Sequence, residues 1–177
     1  MSDDTAKSAA PEASATASPR LMLVGQFIRD LSFENPHGPH GHGEGDGRPQ
    51  VEVQVNVETR RSEDSRERYE VALKINAAAK KGTATAFLLE LDFRGLFDIV
   101  GFPDNLLPQV LLVECPRLLF PFARRIAADA VRDGGFPALM IDPIDFLSLY
   151  RQRLAEEQKK RATADPPAPG ANGGSQA

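Results

Sequence analysis

Hydrophobic and polar positions alternate strictly along one half of this chain and crowd together along the other. Val51, Val53, Val55 and Val57 alternate with Glu52, Gln54, Asn56 and Glu58. A period of two predicts a strand with one apolar face and one wet face. Tyr69, Val71, Leu73 and Ile75 alternate with Glu70, Lys74 and Asn76, and Phe87, Leu89, Leu91 and Phe93 with Leu88, Glu90 and Asp92. Residues 62–66 form a polar turn, and Lys80, Lys81, Gly82 and Thr83 a hairpin turn in which Gly82 is free to take positive φ. Connections this short predict an antiparallel meander. Gly95 is expected to bend the last strand ahead of Phe97 and Ile99. Upstream, residues 21–33 carry Leu23, Phe27, Leu31 and Phe33 on one parity and Val24 and Ile28 on the other. That pattern predicts a strand with both faces partly covered.

The crowded half is residues 104–134, the longest segment with helical periodicity. Val110, Leu111, Leu112, Val113, Leu118, Leu119, Phe120, Phe122, Ile126 and Val131 are too many apolar residues for one stripe. A helix apolar nearly all round needs cover on several sides, and a second copy of the chain is the expected source of the extra cover. Pro116 and Pro121 remove the donors for the carbonyls of Leu112 and Arg117. The helix is therefore either kinked or begins later, with Pro116 near its first turn. Gly134 and Gly135 supply the stop. A second amphipathic helix follows on Phe146, Leu149, Tyr150 and Leu154, with Asp142 as its N-cap, Pro143 at its first position and Asp145 facing its dipole.

Composition narrows the picture. A chain of 177 residues suggests one domain. Residues 1–20 are mostly Ser, Thr, Ala, Asp and Pro, residues 161–177 are rich in Pro and Gly, and both are expected to be disordered tails around a folded body at 21–160. Residues 35–50 form a long loop dense in Gly, Pro and His. An excess of 25 Asp and Glu over 21 Lys and Arg argues against nucleic acid and anionic membranes as partners. A single cysteine excludes an internal disulfide framework and fits a reducing compartment. No apolar run approaches the ~20 residues of a membrane span, and no secretory signal pattern opens the chain. The expectation is a soluble cytoplasmic protein.

The chemistry-bearing residues point away from catalysis. His37, His40 and His42, with Glu44 and Asp46, lie in a glycine-rich loop that holds no ligand in place, and read as a hydrated loop rather than a metal site. Cys115 has apolar neighbours and no histidine near it, and reads as a packed thiol. Glu90, Asp92 and Asp98 alternate outward as a solvated face. No phosphate loop or nucleophile triad appears, so neither enzyme activity nor a cofactor is expected. Several phenylalanines, Phe33, Phe102, Phe120 and Phe136, lie in loops or beside prolines, where apolar side chains line grooves.

A set of local runs has a familiar order. Asp30-Leu31-Ser32-Phe33-Glu34-Asn35-Pro36 is followed by Ala86-Phe87-Leu88-Leu89-Glu90 and Gly95-Leu96-Phe97. Then come Cys115-Pro116-Arg117-Leu118-Leu119-Phe120-Pro121-Phe122-Ala123-Arg124, Gly135-Phe136-Pro137 and Pro143-Ile144-Asp145-Phe146. Over about residues 27–154 the chain resembles the SecB family of protein-export chaperones. The resemblance implies an α+β fold, a four-stranded antiparallel sheet packed by a long and a shorter C-terminal helix, assembled as a dimer of dimers. It implies a homotetramer whose dimer–dimer contact involves Leu89, Leu91 and Phe93. It implies an ATP-independent chaperone that binds unfolded precursor proteins and delivers them to the SecA motor. Asp30, Glu34, Leu88 and Glu90 would form the SecA-binding face. Phe97, Phe102, Leu106, Leu107, Phe120, Phe136 and Phe146 would line a peptide-binding groove. No metal, nucleic acid or stable membrane insertion is implied. Two other functions fit the same aromatic groove: a SecB-like chaperone dedicated to a single partner such as an antitoxin, and a carrier of an apolar small ligand.

Overall fold

The alternating runs become four strands, and their register decides which residues share a face. The structure is a computed structural model that describes residues 18–38 and 49–164. The strands are β1 (Arg20–Glu34), β2 (Gln50–Arg61), β3 (Arg68–Lys81) and β4 (Ala84–Val100), all antiparallel, in the order β1-β4-β3-β2. The expected meander is β2-β3-β4. β1 adds beside β4, which leaves β1 and β2 as the two edges. Odd-numbered residues pair with odd-numbered ones: Val55 with Ile75 and Ile75 with Leu91, Val57 with Leu73 and Leu73 with Phe93. They form one inner face, and the even-numbered residues form the outer face.

β1 owes its mixed parity to two register shifts, between Leu23 and Gly25 and between Ile28 and Asp30. Each extra residue flips the side chains that follow to the other face. Leu23, Ile28, Leu31 and Phe33 are thereby placed opposite Phe97, Phe93, Leu91 and Leu89, all on the inner side. Gly82 takes φ 61° at the β3–β4 turn, as expected. Gly95 does not end or break β4, whose pairing runs through it on both sides. A Cβ there would lie 2.7 Å from Leu119 Cδ2 and from Phe97 Cε2. The glycine lets a helix lean closely on the sheet rather than bending the strand.

The long segment begins at Leu107, later than residue 104. A short α1 (Leu107–Gln109) leads into a single π turn (Val110–Glu114) and then α2 (Cys115–Asp133). In the π turn the Cys115 N–H donates to the Val110 carbonyl, five residues back. A proline ring in regular helix would strike the carbonyl four residues before it, here that of Leu112. The wider turn directly ahead of Pro116 relieves that clash. Pro121 stays inside α2, where both it and Arg117 are exposed and solvent reaches the orphaned carbonyl. At the C-terminus Gly135 takes φ 89°, its N–H donates to the Arg132 carbonyl, and the Phe136 N–H donates to that of Val131. These are the two bonds of a Schellman stop.

The second helix, α3, runs from Phe146 to Ala164, past the expected boundary at residue 160. Its N-cap is Asp145, which corrects the expectation of Asp142. Asp145 Oδ1 accepts the N–H groups of Leu147 and Ser148, each at 3.1 Å, and Ser148 donates its hydroxyl to Oδ2 at 2.7 Å. Pro143 lies outside the helix, in the stretch that carries Ile141 and Ile144 onto the core.

α2 covers the inner face, and α3 packs mainly on the π turn, with Phe146 buried. Leu73, Ile75, Leu89, Leu91, Phe97, Leu119, Val131 and Phe146 make up the fully enclosed centre. One protomer hides more of the crowded segment than its composition suggests. Val110, Leu111, Val113, Leu119, Phe120 and Val131 are buried within the chain, and Leu112 and Ile126 are half-buried. Leu118 and Phe122, one turn apart, are left 45 % and 42 % exposed.

Candidate functional surfaces

Two surfaces of different chemistry lie on opposite sides of the sheet. The outer one is built by β1 and β4. Their register sets Asp30 beside Asp92, Ser32 beside Glu90 and Glu34 beside Leu88. The four residues Asp30, Glu34, Leu88 and Glu90, far apart in sequence, thus share one exposed patch of acids around a leucine that is 37 % exposed. Other acids of this face are already neutralised. Arg94 grips Asp92 with Nε and Nη2, at 2.9 and 2.7 Å, and gives Nη1 to Glu70. Arg68 holds Asp98 in the same two-pronged way at 2.7 and 2.9 Å. Those bonds keep the carboxyls of Asp92 and Asp98 below the usual carboxylate range. Asp30, Glu34 and Glu90 carry no such partner among the described residues and are exposed, so their field faces solvent.

The inner side ends in apolar clefts along the free edge of β2. One, of about 390 Å³, is lined by Val51, Phe87, Phe136, Leu139 and Met140. Its floor is aromatic: the Phe87 and Phe136 rings lie 5.0 Å apart, and Phe33 stacks behind Phe87 at 5.7 Å. Gly134 makes room for this cluster, since a Cβ there would come within 2.1 Å of Phe33 Cε1. Towards the other end of β2, two adjoining clefts of about 220 and 510 Å³ share Val57, Leu112, Tyr150 and Arg153. Phe146 and Leu149 line the first of these, and Leu154 the second.

The expected groove residues divide accordingly. Phe136 and Phe146 line clefts. Phe120 is buried and supports Phe146 edge-on at 6.0 Å. Phe97 is fully enclosed, at 0 % exposure, under the helices, and has no surface to offer. Phe102 and Leu107 are half-buried and Leu106 exposed, at the turn that enters α1 rather than along β2. Val51, Val55, Leu112, Met140 and Tyr150 were missed, because the alternating valines do not reveal which strand is the edge. Leu89, Leu91 and Phe93 do face the helices, but their own protomer encloses them to 4 % exposure or less. Contact with another copy would have to use other side chains. Cys115 is fully buried and burial pushes its thiol up to about 12, in keeping with a packed, unreactive group. His40, His42, Glu44 and Asp46 lie outside the described residues, as do most of both tails. No helix among the described residues is long and apolar enough to cross a membrane.

The comparisons with known proteins give the family. The family model described as preprotein translocase subunit SecB matches residues 14–157, most of the chain. This chain belongs to the SecB family. The protein-export protein SecB of Parvibaculum lavamentivorans is 50 % identical over 148 residues, 84 % of this chain and 87 % of the relative. That of Rhizobium johnstonii is 45 % identical over 160 residues, 90 % of this chain and 95 % of the relative. Among solved structures, a Mycobacterium tuberculosis SecB-like chaperone, in complex with a peptide from an antitoxin, superposes with a TM-score of 0.58. That match covers 71 % of this chain and 91 % of the other at 12 % identity, which shows a common fold. Family membership makes the chain a SecB chaperone of protein export.

Proposed function

We propose that this chain holds unfolded precursor proteins along the free edge of β2 and presents its outer acidic patch to the SecA motor. The observation that carries the reading is the separation of the two surfaces by one sheet. The inner clefts offer apolar side chains and unpaired backbone groups together. An extended chain of almost any sequence buries apolar area there at ~25 cal/mol per Å² and pairs its backbone with the edge. The outer acids Asp30, Glu34 and Glu90, with Leu88, remain free to attract a basic partner while a client is held. No step of this cycle forms or breaks a covalent bond, so the chain works without catalysis and without ATP, in the cytoplasm where precursors are made.

A homotetramer, arranged as a dimer of dimers, fits the same reading. Leu118 and Phe122 on the bare side of α2 support it, as do Met22, Val24 and Phe27 on edge strand β1. Several clefts on one assembly then engage one client with an avidity set by effective concentration.

Aggregation of a chemically unfolded protein, followed by light scattering without nucleotide, tests the activity. Excess chaperone is expected to suppress it, and an unchanged aggregation rate sinks the proposal.

A further inference from the structure

One backbone oxygen on the free side of β2 is already taken. Arg153 of α3 reaches across and donates Nη1–H to the Val57 carbonyl at 3.1 Å. In an antiparallel strand a residue sends its N–H and its C=O to the same side, and neighbours alternate. β2 pairs with β3 from Gln50 to Arg61 without irregularity. The Ser62 N–H donates to the Arg68 carbonyl at 2.8 Å in continuation of that register, so even-numbered β2 residues bond to β3 and the backbone groups of Val51, Val53, Val55, Val57 and Thr59 lie together on the open edge. Among the described residues Val57 is the one of these five whose carbonyl receives a side-chain donor. Arg153 also lines both clefts at this end, beside Leu112 and Tyr150. A charged side chain laid over an unpaired edge is a standard obstacle to strand addition.

We infer that Arg153 is an edge guard that limits how far along β2 a client can pair its backbone. This rests on the reading of the β2 edge as the place where clients bind. At residues 51–55, next to the Phe87 and Phe136 floor, an extended client pairs with the edge through its backbone. At Val57 the guanidinium occupies the position that the client's N–H would need, so the adjoining clefts accept apolar side chains without backbone pairing. The guard thus sets how long a strand the edge accepts and favours clients with an apolar cluster beyond a short extended run. Glu157, one turn along α3 and lining the same cleft, is the carboxylate towards which a displaced guanidinium would swing.

The test uses the full chain and, as probe, a reduced and alkylated protein that stays unfolded. Backbone amide exchange is read residue by residue, with and without probe, alongside the probe's dissociation constant. In the native chain the probe is expected to protect the amides of Val51, Val53 and Val55 but not those of Val57 and Thr59. Arg153→Met keeps the aliphatic stem and removes the donor. It should extend protection to Val57 and Thr59 and tighten probe binding by about threefold or more, the scale of one competing hydrogen bond. Arg153 is otherwise exposed, and an unchanged circular dichroism spectrum will show that the fold survives. If the probe binds the native chain, and Arg153→Met leaves both affinity and protection pattern unchanged, the guard is refuted and the groove reading stands. If the native chain binds probe with no β2 protection, or the β2 amides are protected before probe is added, the groove lies elsewhere or is filled by the chain itself. The guard then falls with it.

Discussion

β4 carries two chemistries on one backbone. Its odd-numbered side chains, Phe87, Leu89, Leu91, Phe93 and Phe97, are enclosed by helices, whereas its even-numbered ones, Leu88, Glu90, Asp92, Arg94 and Asp98, meet solvent or one another. The two sets sit one residue apart and obey different rules. On the inner side area removed from water dominates, and each buried Leu or Phe side chain contributes about 1.5–3 kcal/mol. On the outer side ion pairs are partly screened and contribute little to stability. The difference teaches that this sheet is held together from one face, while the charges of the other add little to its stability. On the proposed reading, stability and partner choice are therefore separable by mutation.

That separation predicts a graded series. Leu91→Arg buries an unpaired charge in the enclosed centre and is expected to cost about 4 kcal/mol or more. Denaturant titration should show a protomer largely unfolded, not merely dissociated; a native-like midpoint would mean that Leu91 is not core. Gly95→Ala drives a methyl into Leu119 and Phe97 and should cost about 1–3 kcal/mol, read as a lower midpoint with an unchanged slope.

Acid comes next. Asp92 is held below its usual range first by its hydrogen bonds to Arg94, against the opposing effect of burial, and Asp98 by those to Arg68. A carboxyl with a depressed folded pKa stabilises above its unfolded value, about 3.9, and that contribution is lost as pH falls through the folded value. Melting temperature should therefore be level from roughly pH 7 to pH 5 and fall below about pH 4. Asp92→Asn should flatten the acid decline; an equal decline in the variant would detach it from this pair. Smallest of all in stability is Glu90→Gln combined with Asp30→Asn, within about 0.5 kcal/mol of the native chain. The same double variant should bind SecA more weakly and with less dependence on salt. Unchanged affinity at low salt would remove the outer patch from that role.

The legible parts of the fold are those with a local cause. Alternation marked β2, β3 and β4, and Gly82 marked their tightest turn. The Gly-Gly-Phe run marked the end of α2, because an αL residue there has almost no substitute for glycine. The outer patch was legible through the family resemblance of the runs around Asp30 and Glu90, and for Glu90 through the alternation of β4 as well. The illegible parts depend on neighbours distant in sequence. The parity of β1 depends on two bulges, and apolar residues of both parities could equally have meant two covered faces. The N-cap of α3 fell to Asp145 rather than Asp142 because Ile141 and Ile144 are drawn onto the core before the helix starts. The clefts were hard to read for a related reason: an aromatic residue is as fit for the centre, like Phe97, as for a cleft, like Phe136.

By itself, then, the amino-acid order determined the main elements, the side of β2, β3 and β4 that is wet, and the family. These follow from periods of two and 3.6 and from residues with few conformational alternatives. Only the tertiary structure decided which strand lies at the edge, how much of the crowded helix one chain can hide, and that Arg153 meets Val57 across 96 positions. Edges, burial and such long-range bonds are properties of surfaces brought together by folding, and no local stretch of chain encodes what will come to lie against it.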